Sequence, residues 1–81
     1  MEQTSKIAVV AILIEDVSLS DKVNGLLHQY GNKIVGRMGI PYREKNVHII
    51  SVVMDATSDE INSLSGNLGR IKGVRVKVLT A

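Results

Sequence analysis

The chain has 81 residues, of which 44% are hydrophobic, with a formal net charge of +2 and no cysteine. This length allows one domain near the lower limit for a self-sufficient core, so we expect residues 1–81 to form a single domain. The missing cysteine excludes disulfides and thiolate metal sites and fits a reducing cytoplasm, while the small charge does not indicate a polyanionic partner.

The first predicted strand covers residues 6–15 and follows a polar start, residues 1–5, that we expect to be disordered. All eight positions of 7–14 are apolar, at both parities, which is typical of a strand covered on both faces. Eight residues are far fewer than the roughly 20 that span a bilayer, so we expect no membrane partner.

A helix is predicted next, with Ser18 as its N-cap and Asp21 as the capping-box partner three residues later. Apolar residues then recur at helical spacing and form one stripe: Leu19, Val23, Leu26, Leu27 and Tyr30. Gly31 and Asn32 predict that the helix ends in a left-handed conformation.

Two strands follow, joined by a charged hairpin connection at residues 41–46. The first, residues 33–40, is the weaker one. One of its faces is predicted to carry Ile34, Gly36, Met38 and Ile40. The second, residues 47–55, is mostly apolar on both faces, like the strand at residues 6–15.

The second helix opens with a capping box formed by Thr57 and Glu60. Its inward stripe is Ile61, Leu64, Leu68 and Ile71. We interpret Gly69 as its end and Gly66, within it, as a sign of close packing against a neighbouring element. Residues 73–79 then predict a closing strand with alternating valines.

This order of elements predicts an α+β, ferredoxin-like βαββαβ sandwich with an antiparallel sheet of order 4-1-3-2 and both helices on one face. The two doubly apolar strands then occupy the centre of the sheet. Their helix-free face would leave an apolar patch in water, which soluble monomers rarely tolerate. We therefore expect a homodimer or homotetramer that forms through the sheet.

Five residues are candidate ligand contacts, because they bring charge or an imidazole to strand ends: Glu15, Asp16, Arg37, Arg43 and His48. The two arginines could bind a carboxylate or phosphate, or could instead form ion pairs with Glu44 or Asp55. No Ser–His–acid set or paired-carboxylate site can be assembled, so we expect no catalytic residues and no enzyme. One strand imidazole in each chain is a poor metal site, so we expect neither a metal nor a cofactor.

RNA binding is the alternative from another class, because RNA-recognition modules share this strand order. Those modules stack bases on aromatic side chains of the central strands, where this chain has none. No segment is left over for a helix-turn-helix. The sequence therefore argues against a nucleic-acid partner.

Two stretches, residues 36–46 and 64–77, resemble the ACT-like iron-only hydrogenase system regulators, as do Glu15-Asp16 and the motif Val-Asn-Gly-Leu-Leu-His at residues 23–28. The domain is also similar to the C-terminal sensor domain of nickel-responsive repressors. The resemblance implies an ACT-like fold, oligomers and a role in regulating hydrogenase maturation or expression. Amino-acid-binding ACT domains carry an Asp-x-Pro-Gly-like turn where this chain has residues 15–18 without Pro or Gly, which argues against amino acids as ligands.

Together these features predict a non-enzymatic regulatory or sensor domain with a small-molecule ligand or a regulatory protein partner at an oligomer interface. Any effect on transcription would pass through that partner. A plain homo-oligomeric assembly module without a ligand is the competing interpretation.

Overall fold

The computed structural model describes residues 4–81. The strands are β1 (Lys6–Ile14), β2 (Ile34–Tyr42), β3 (Val47–Ala56) and β4 (Val74–Thr80), and the helices are α1 (Ser20–Gln29) and α2 (Ser58–Gly69). The predicted disorder of residues 1–5 concerns mainly residues 1–3, which lie outside the described residues. Thr4 and Ser5 are exposed and precede β1 without regular secondary structure.

The four strands form one antiparallel sheet in the order β2-β3-β1-β4, which is the predicted 4-1-3-2 order. The α+β, ferredoxin-like arrangement is thereby confirmed. β1 and β3 are central, as their apolar residues at both parities predicted. Both helices pack on one face of the sheet, and the other face is left without a helix.

The core lies between the helices and one parity of the strands. Val10 of β1 lies opposite Val52 of β3, and both are fully buried. The two predicted helix stripes meet this surface: Val23, Leu27, Ile61, Leu64, Leu68 and Ile71 are buried, and Leu19, Leu26 and Tyr30 pack against them. Among residues 4–81, no polar or charged side chain is buried, so the interior is held by apolar contacts.

The start of α1 differs from the predicted capping box. The Asp16 carboxylate accepts hydrogen bonds from the Ser18 backbone N–H at 3.0 Å and from the Ser18 hydroxyl at 2.8 Å. These bonds make Asp16 the cap of a short 3-10 turn, Val17–Leu19, and α1 begins after it at Ser20 without a side-chain cap. The prediction of Ser18 as the cap with Asp21 was wrong because the nearer carboxylate takes the Ser18 donors.

The end of α1 also differs. A second 3-10 turn, Gly31–Lys33, follows the helix, and neither Gly31 nor Asn32 has a positive φ. The predicted left-handed ending was therefore wrong. Among the described residues, positive φ occurs at Asn46, in the β2–β3 connection, and at Gly73, just before β4.

The capping box of α2 is confirmed. The Glu60 backbone N–H donates to the Thr57 hydroxyl at 3.2 Å, and the Thr57 backbone N–H donates to the Glu60 carboxylate at 2.9 Å. The helix ends at Gly69, as predicted. The interpretation of Gly66 was wrong, because a Cβ atom at this position would meet nothing within 4 Å. Gly66 is exposed and packs against no neighbouring element.

A β-bulge changes the face on which β2 begins. Ile34 pairs with Met54, whereas Gly36 pairs with Val53, so the register shifts between these two positions. Because one residue of shift reverses the face, Ile34 lies on the helix side and Gly36 on the other side. The prediction that placed Ile34 on one face with Gly36, Met38 and Ile40 was therefore wrong for Ile34 alone.

Candidate functional site

The helix-free side of the sheet, here called the open face, has side chains in regular cross-strand rows. Three successive rows, each read from β2 to β4, are Ile40–Ile49–Leu13–Arg75, Met38–Ser51–Ala11–Lys77 and Gly36–Val53–Val9–Leu79. The middle row carries the small residues Ser51 and Ala11 at its centre. The rows on either side of it are apolar except for Arg75, so the open face is a shallow apolar surface.

Most of the exposed apolar mass of the described residues lies on the open face. Seven of their ten exposed large hydrophobic side chains belong to it: Ile7, Val9, Met38, Ile40, Tyr42, Ile49 and Leu79. Leu79 is 72% exposed and Met38 is 60% exposed. Single apolar residues scattered over a surface are normal for proteins, whereas those of this chain are concentrated on one side of a small domain.

Charge is confined to the margin of the open face. Arg75 and Lys77 lie on the edge strand β4, and Asp55 lies at one end of β3. A shallow cavity of about 330 Å³ sits beside the two cations, with Leu13 and Ile49 among its lining residues. The open face therefore combines an apolar centre with a cationic edge, next to which a small ligand could bind.

At one end of the sheet, the loop after β1 meets the β2–β3 connection. Four of the five candidate ligand contacts lie there: Glu15, Asp16, Arg43 and His48. The Glu15 carboxylate forms an ion pair with Arg75 Nε at 2.7 Å. The Glu15 backbone N–H donates to the Gly73 carbonyl at 2.8 Å. Asp16 caps its own turn, and the hydrogen bonds from Ser18 lower the pKa of its carboxyl. Both acids therefore already have partners within the loop end of the sheet.

His48 lies on the helix side of β3 rather than on the open face. Its ring is half-buried, and Nδ1 is 3.2 Å from the hydroxyl of Ser20, the first residue of α1. Gly39 on β2 leaves room for the ring, because a Cβ atom there would come within 3.2 Å of Nε2. These contacts pack the histidine against the start of α1 and against β2.

The two arginines are separated. Arg37 donates to the Asn24 side chain of α1 at 2.7 Å, so the alternative of an ion pair with Glu44 or Asp55 is wrong for this residue. Arg43 lies in a 3-10 turn of the β2–β3 connection. Glu44 instead accepts a hydrogen bond from the Tyr42 hydroxyl at 3.1 Å. The arginines therefore do not form one anion-binding pair.

A cavity of about 390 Å³ opens at this loop end. It is lined by Val17, Pro41, Tyr42, Arg43, Asn46 and Val47. Of the five candidate residues, Arg43 is the one that lines it. Within residues 4–81, no group of three or more His, Asp or Glu side chains is arranged to hold a metal ion, and no helix is long and apolar enough to cross a membrane.

Sequence reasoning did not place Tyr42 and Leu79 on the open face. Tyr42 was assigned to the hairpin connection, but β2 continues through it and pairs it with Val47. Extending the alternation of the strand two residues beyond Ile40 would have placed Tyr42 on the open face. Leu79 follows from the same alternation along β4, since Arg75 and Lys77 precede it on the same face.

Comparison with known proteins identifies relatives of this chain. The family model described as "TM1266-like: Iron-only hydrogenase system regulator, putative" matches residues 6–78. Among solved structures, the uncharacterized protein TM1266 from Thermotoga maritima is 40% identical with a TM-score of 0.90, over 94% of this chain and 96% of that one. No curated protein matches the sequence.

Two more distant structures share the fold. The ACT domain from the GTP pyrophosphokinase of Chlorobium tepidum has 18% identity and a TM-score of 0.79, over 94% of this chain and all of that one. The C-terminal domain of the MgtC protein from Mycobacterium tuberculosis has 14% identity and a TM-score of 0.72, over 100% of this chain and 93% of that one. At these identities the likeness concerns the fold alone, which is ACT-like.

Proposed function

We propose that this chain, which belongs to the TM1266-like family, is a non-enzymatic regulatory domain that pairs with a second copy of itself through the open face. The family description names a regulator of an iron-only hydrogenase system. In this proposal the domain controls that system through a protein partner, in the cytoplasm, a location that the cysteine-free sequence favours.

The observation that carries the proposal is the open face of the four-stranded sheet, whose centre is apolar and not covered by a helix. Four strands about 4.8 Å apart, with about seven residues each at about 3.3 Å, cover roughly 450 Å² of flat area. Side chains add accessible surface to this area, so it is of the same order as the about 600 Å² per partner of smaller stable interfaces. A surface of this size supports a specific dimer.

A second copy fits the open face better than another partner for two reasons. The small residues Ala11 and Ser51 at the centre of the middle row let two such sheets approach closely, as in sheet-on-sheet packing. The charged residues lie at the margin, so the apolar centres of two copies can meet without a charge between them. A twofold interface of this kind is the commonest way in which one patch covers itself.

The cavity beside Arg75 and Lys77 is our proposed ligand site at this interface. A second copy would close its open side, and the two cations favour a small anionic ligand. Arg75 is held by Glu15, so an anion that binds Arg75 competes with the loop after β1. A ligand that favours one arrangement of the two copies would then shift the population that the partner protein meets.

The remaining candidate contacts stay predictions: Asp16, Arg43 and His48 lie at the loop end of the sheet, and Arg37 lies beside α1. RNA binding is the weaker alternative. The open-face positions of the central strands carry Val9, Ala11, Leu13, Ile49, Ser51 and Val53, so they offer bases no aromatic surface.

The test measures thermal unfolding and molar mass on the same samples, with amino acids, nucleotides, dicarboxylates and divalent cations added one at a time. If the domain is a sensor, at least one anionic compound should raise the Tm and change the dimer fraction. A dimer that responds to none of them would support the assembly module without a ligand. A stable monomer would contradict both interpretations.

A further inference from the structure

A second surface, on the side of the molecule opposite the open face, lies between α1 and α2. We call it the interhelical groove. It has a volume of about 830 Å³ and lies between residues 19–29 on one side and residues 67–72 on the other. On the α1 side its residues recur from Leu19 to Gln29, so it follows the whole ten-residue helix, a length of about 15 Å.

The charges of the interhelical groove have one sign. Its lining includes three cations, Lys22, Arg70 and Lys72, and no carboxylate. Among residues 4–81 none of the three forms an ion pair, since the two salt bridges there are Lys33–Glu60 and Arg75–Glu15. Arg70 is held in place by the Asn67 side-chain oxygen, to which it donates at 2.9 Å. The groove is therefore a positive surface without an internal counter-charge.

The floor of the groove is apolar. Leu19 and Leu26 are half-buried and pack against the core, and Ile71 is buried beside them. Gly25 has no side chain to cover this floor, and the fold leaves room for one, because a Cβ atom there would meet nothing within 4 Å. Because a glycine inside a helix costs about 1 kcal/mol relative to alanine, the fold gains nothing from this residue. The space above Gly25 is therefore open to an occupant of the groove.

We propose that the interhelical groove binds an acidic amphipathic helix of a partner protein. An apolar stripe at i, i+4 and i+7 would lie on Leu19, Leu26 and Ile71, and flanking Glu or Asp side chains would meet the three cations. A small anion would use the cations but not the elongated apolar floor. The inference names the partner surface of the regulatory function proposed above and rests on it.

The two proposed surfaces do not compete. The open face and the interhelical groove lie on opposite sides of the sheet, so a dimer formed through the open face presents two grooves outward. Two acidic helices of one partner could then bind together, which raises the apparent affinity without a new contact.

The test uses the full chain and a fluorescent peptide of about four helical turns, with leucines at i, i+4 and i+7 and glutamates on the flanks. We expect saturable binding, seen as increased anisotropy, that weakens as salt is added. A scrambled peptide of the same composition, which lacks the apolar stripe, should bind about tenfold more weakly. A peptide with lysine in place of glutamate should not bind.

Variants of this chain locate the binding. Gly25→Glu fills the groove and repels the peptide, and should weaken binding about tenfold or more. His28→Glu introduces the same negative charge on the same helix at an exposed position outside the groove, and should change affinity less than about twofold. Gly25→Ala, which fills part of this space with one methyl group, should weaken binding less than Gly25→Glu, by about twofold to threefold. Lys22→Gln with Lys72→Gln should lose about fivefold, and Lys45→Gln much less.

The proposal would be overturned by the absence of binding at about 1 mM peptide, by equal binding of the scrambled peptide, or by equal loss in the Gly25→Glu and His28→Glu variants. Competition by citrate or ATP at the concentration of the peptide would instead identify a small anion as the occupant and would also overturn it. Molar mass measured on the same samples separates the two proposals. A dimer without peptide binding contradicts the groove alone, and a monomer contradicts pairing through the open face.

Discussion

Val9 of β1 lies directly opposite Val53 of β3, and both side chains project from the face of the sheet that no helix covers. Val9 is 36% exposed although it sits near the middle of a central strand. Its neighbour on β4 across the same row, Leu79, is the most exposed of the large hydrophobic residues described. This row shows most clearly why an isolated copy leaves apolar surface in water.

A charge in this row should separate the copies. Val9→Glu places a carboxylate at the centre of the proposed interface, where it would be buried without a partner. We expect the dimer to dissociate at least about tenfold more readily, while the monomer keeps its fold because the side chain points to solvent. Light scattering measures the dissociation and circular dichroism checks the fold.

Val17→Glu is the control, since Val17 is 50% exposed and lies in the 3-10 turn before α1 rather than on the open face. It adds the same charge without touching the proposed interface. Dissociation to the same extent in both variants would mean that net charge, and not the open face, governs association.

Gly73 should resist substitution. Its φ of +93° is disfavoured for residues with a side chain, and a Cβ atom there would come within 3.0 Å of Leu19 Cδ1. Gly73→Ala should therefore lower the free energy of unfolding by about 1–3 kcal/mol. Gly69→Ala, where a Cβ atom meets nothing within 4 Å, should not destabilise the protein. Urea denaturation of both variants checks this, and equal stabilities would contradict it.

Gly66→Ala should stabilise the protein. Gly66 lies within α2, is exposed, and has open space where a Cβ atom would be. Alanine removes the conformational cost of glycine in a helix, worth about 0.5–1 kcal/mol. Thermal unfolding should show a higher Tm. A lower Tm would mean that a neighbour, such as a second copy, occupies this space.

The capping box predicts a pH dependence of stability. Hydrogen bonds from the Thr57 backbone and hydroxyl, and to a lesser degree Lys33, lower the pKa of the Glu60 carboxyl in the folded state. The stability that Glu60 contributes is therefore present above the pKa of the unfolded chain and is lost as pH falls through the lowered folded pKa. Asp16 acts in the same direction through its bonds from Ser18.

Glu60→Gln tests this, because glutamine keeps an acceptor oxygen for the Thr57 N–H but does not titrate. The urea midpoint of the wild type should fall more steeply than that of the variant between neutral pH and about pH 3. Identical slopes would show that the folded-state bonds to Glu60 do not contribute to acid sensitivity.

The sheet order could be predicted because β1 and β3 are apolar at both parities and only central strands of this topology need that pattern. The α2 capping box was readable because Thr57 and Glu60 have the required spacing and form both bonds of the box. At α1 a competitor existed: the Asp16 carboxylate reached the Ser18 donors first. Sequence spacing does not show which of two neighbouring side chains takes a given N–H.

The candidate site was harder to predict than the fold. Glu15 and His48 were named as candidates by their residue types, and the structure brings both to the same end of the sheet. Their partners were not predictable, because the ion pair of Glu15 with Arg75 and the contact of His48 with Ser20 depend on side-chain directions between distant elements. The bulge between Ile34 and Gly36 was not predicted, because a single unpaired residue leaves no compositional signal in the sequence.

The most direct test of pairing through the open face is the molar mass of the unaltered chain, measured by sedimentation equilibrium from about 1 to 100 μM at neutral pH. We predict a mass twice the 8.8 kDa of one chain, or a higher even multiple, at the upper concentrations. A mass of one chain throughout this range would contradict the proposal that the open face pairs with a second copy.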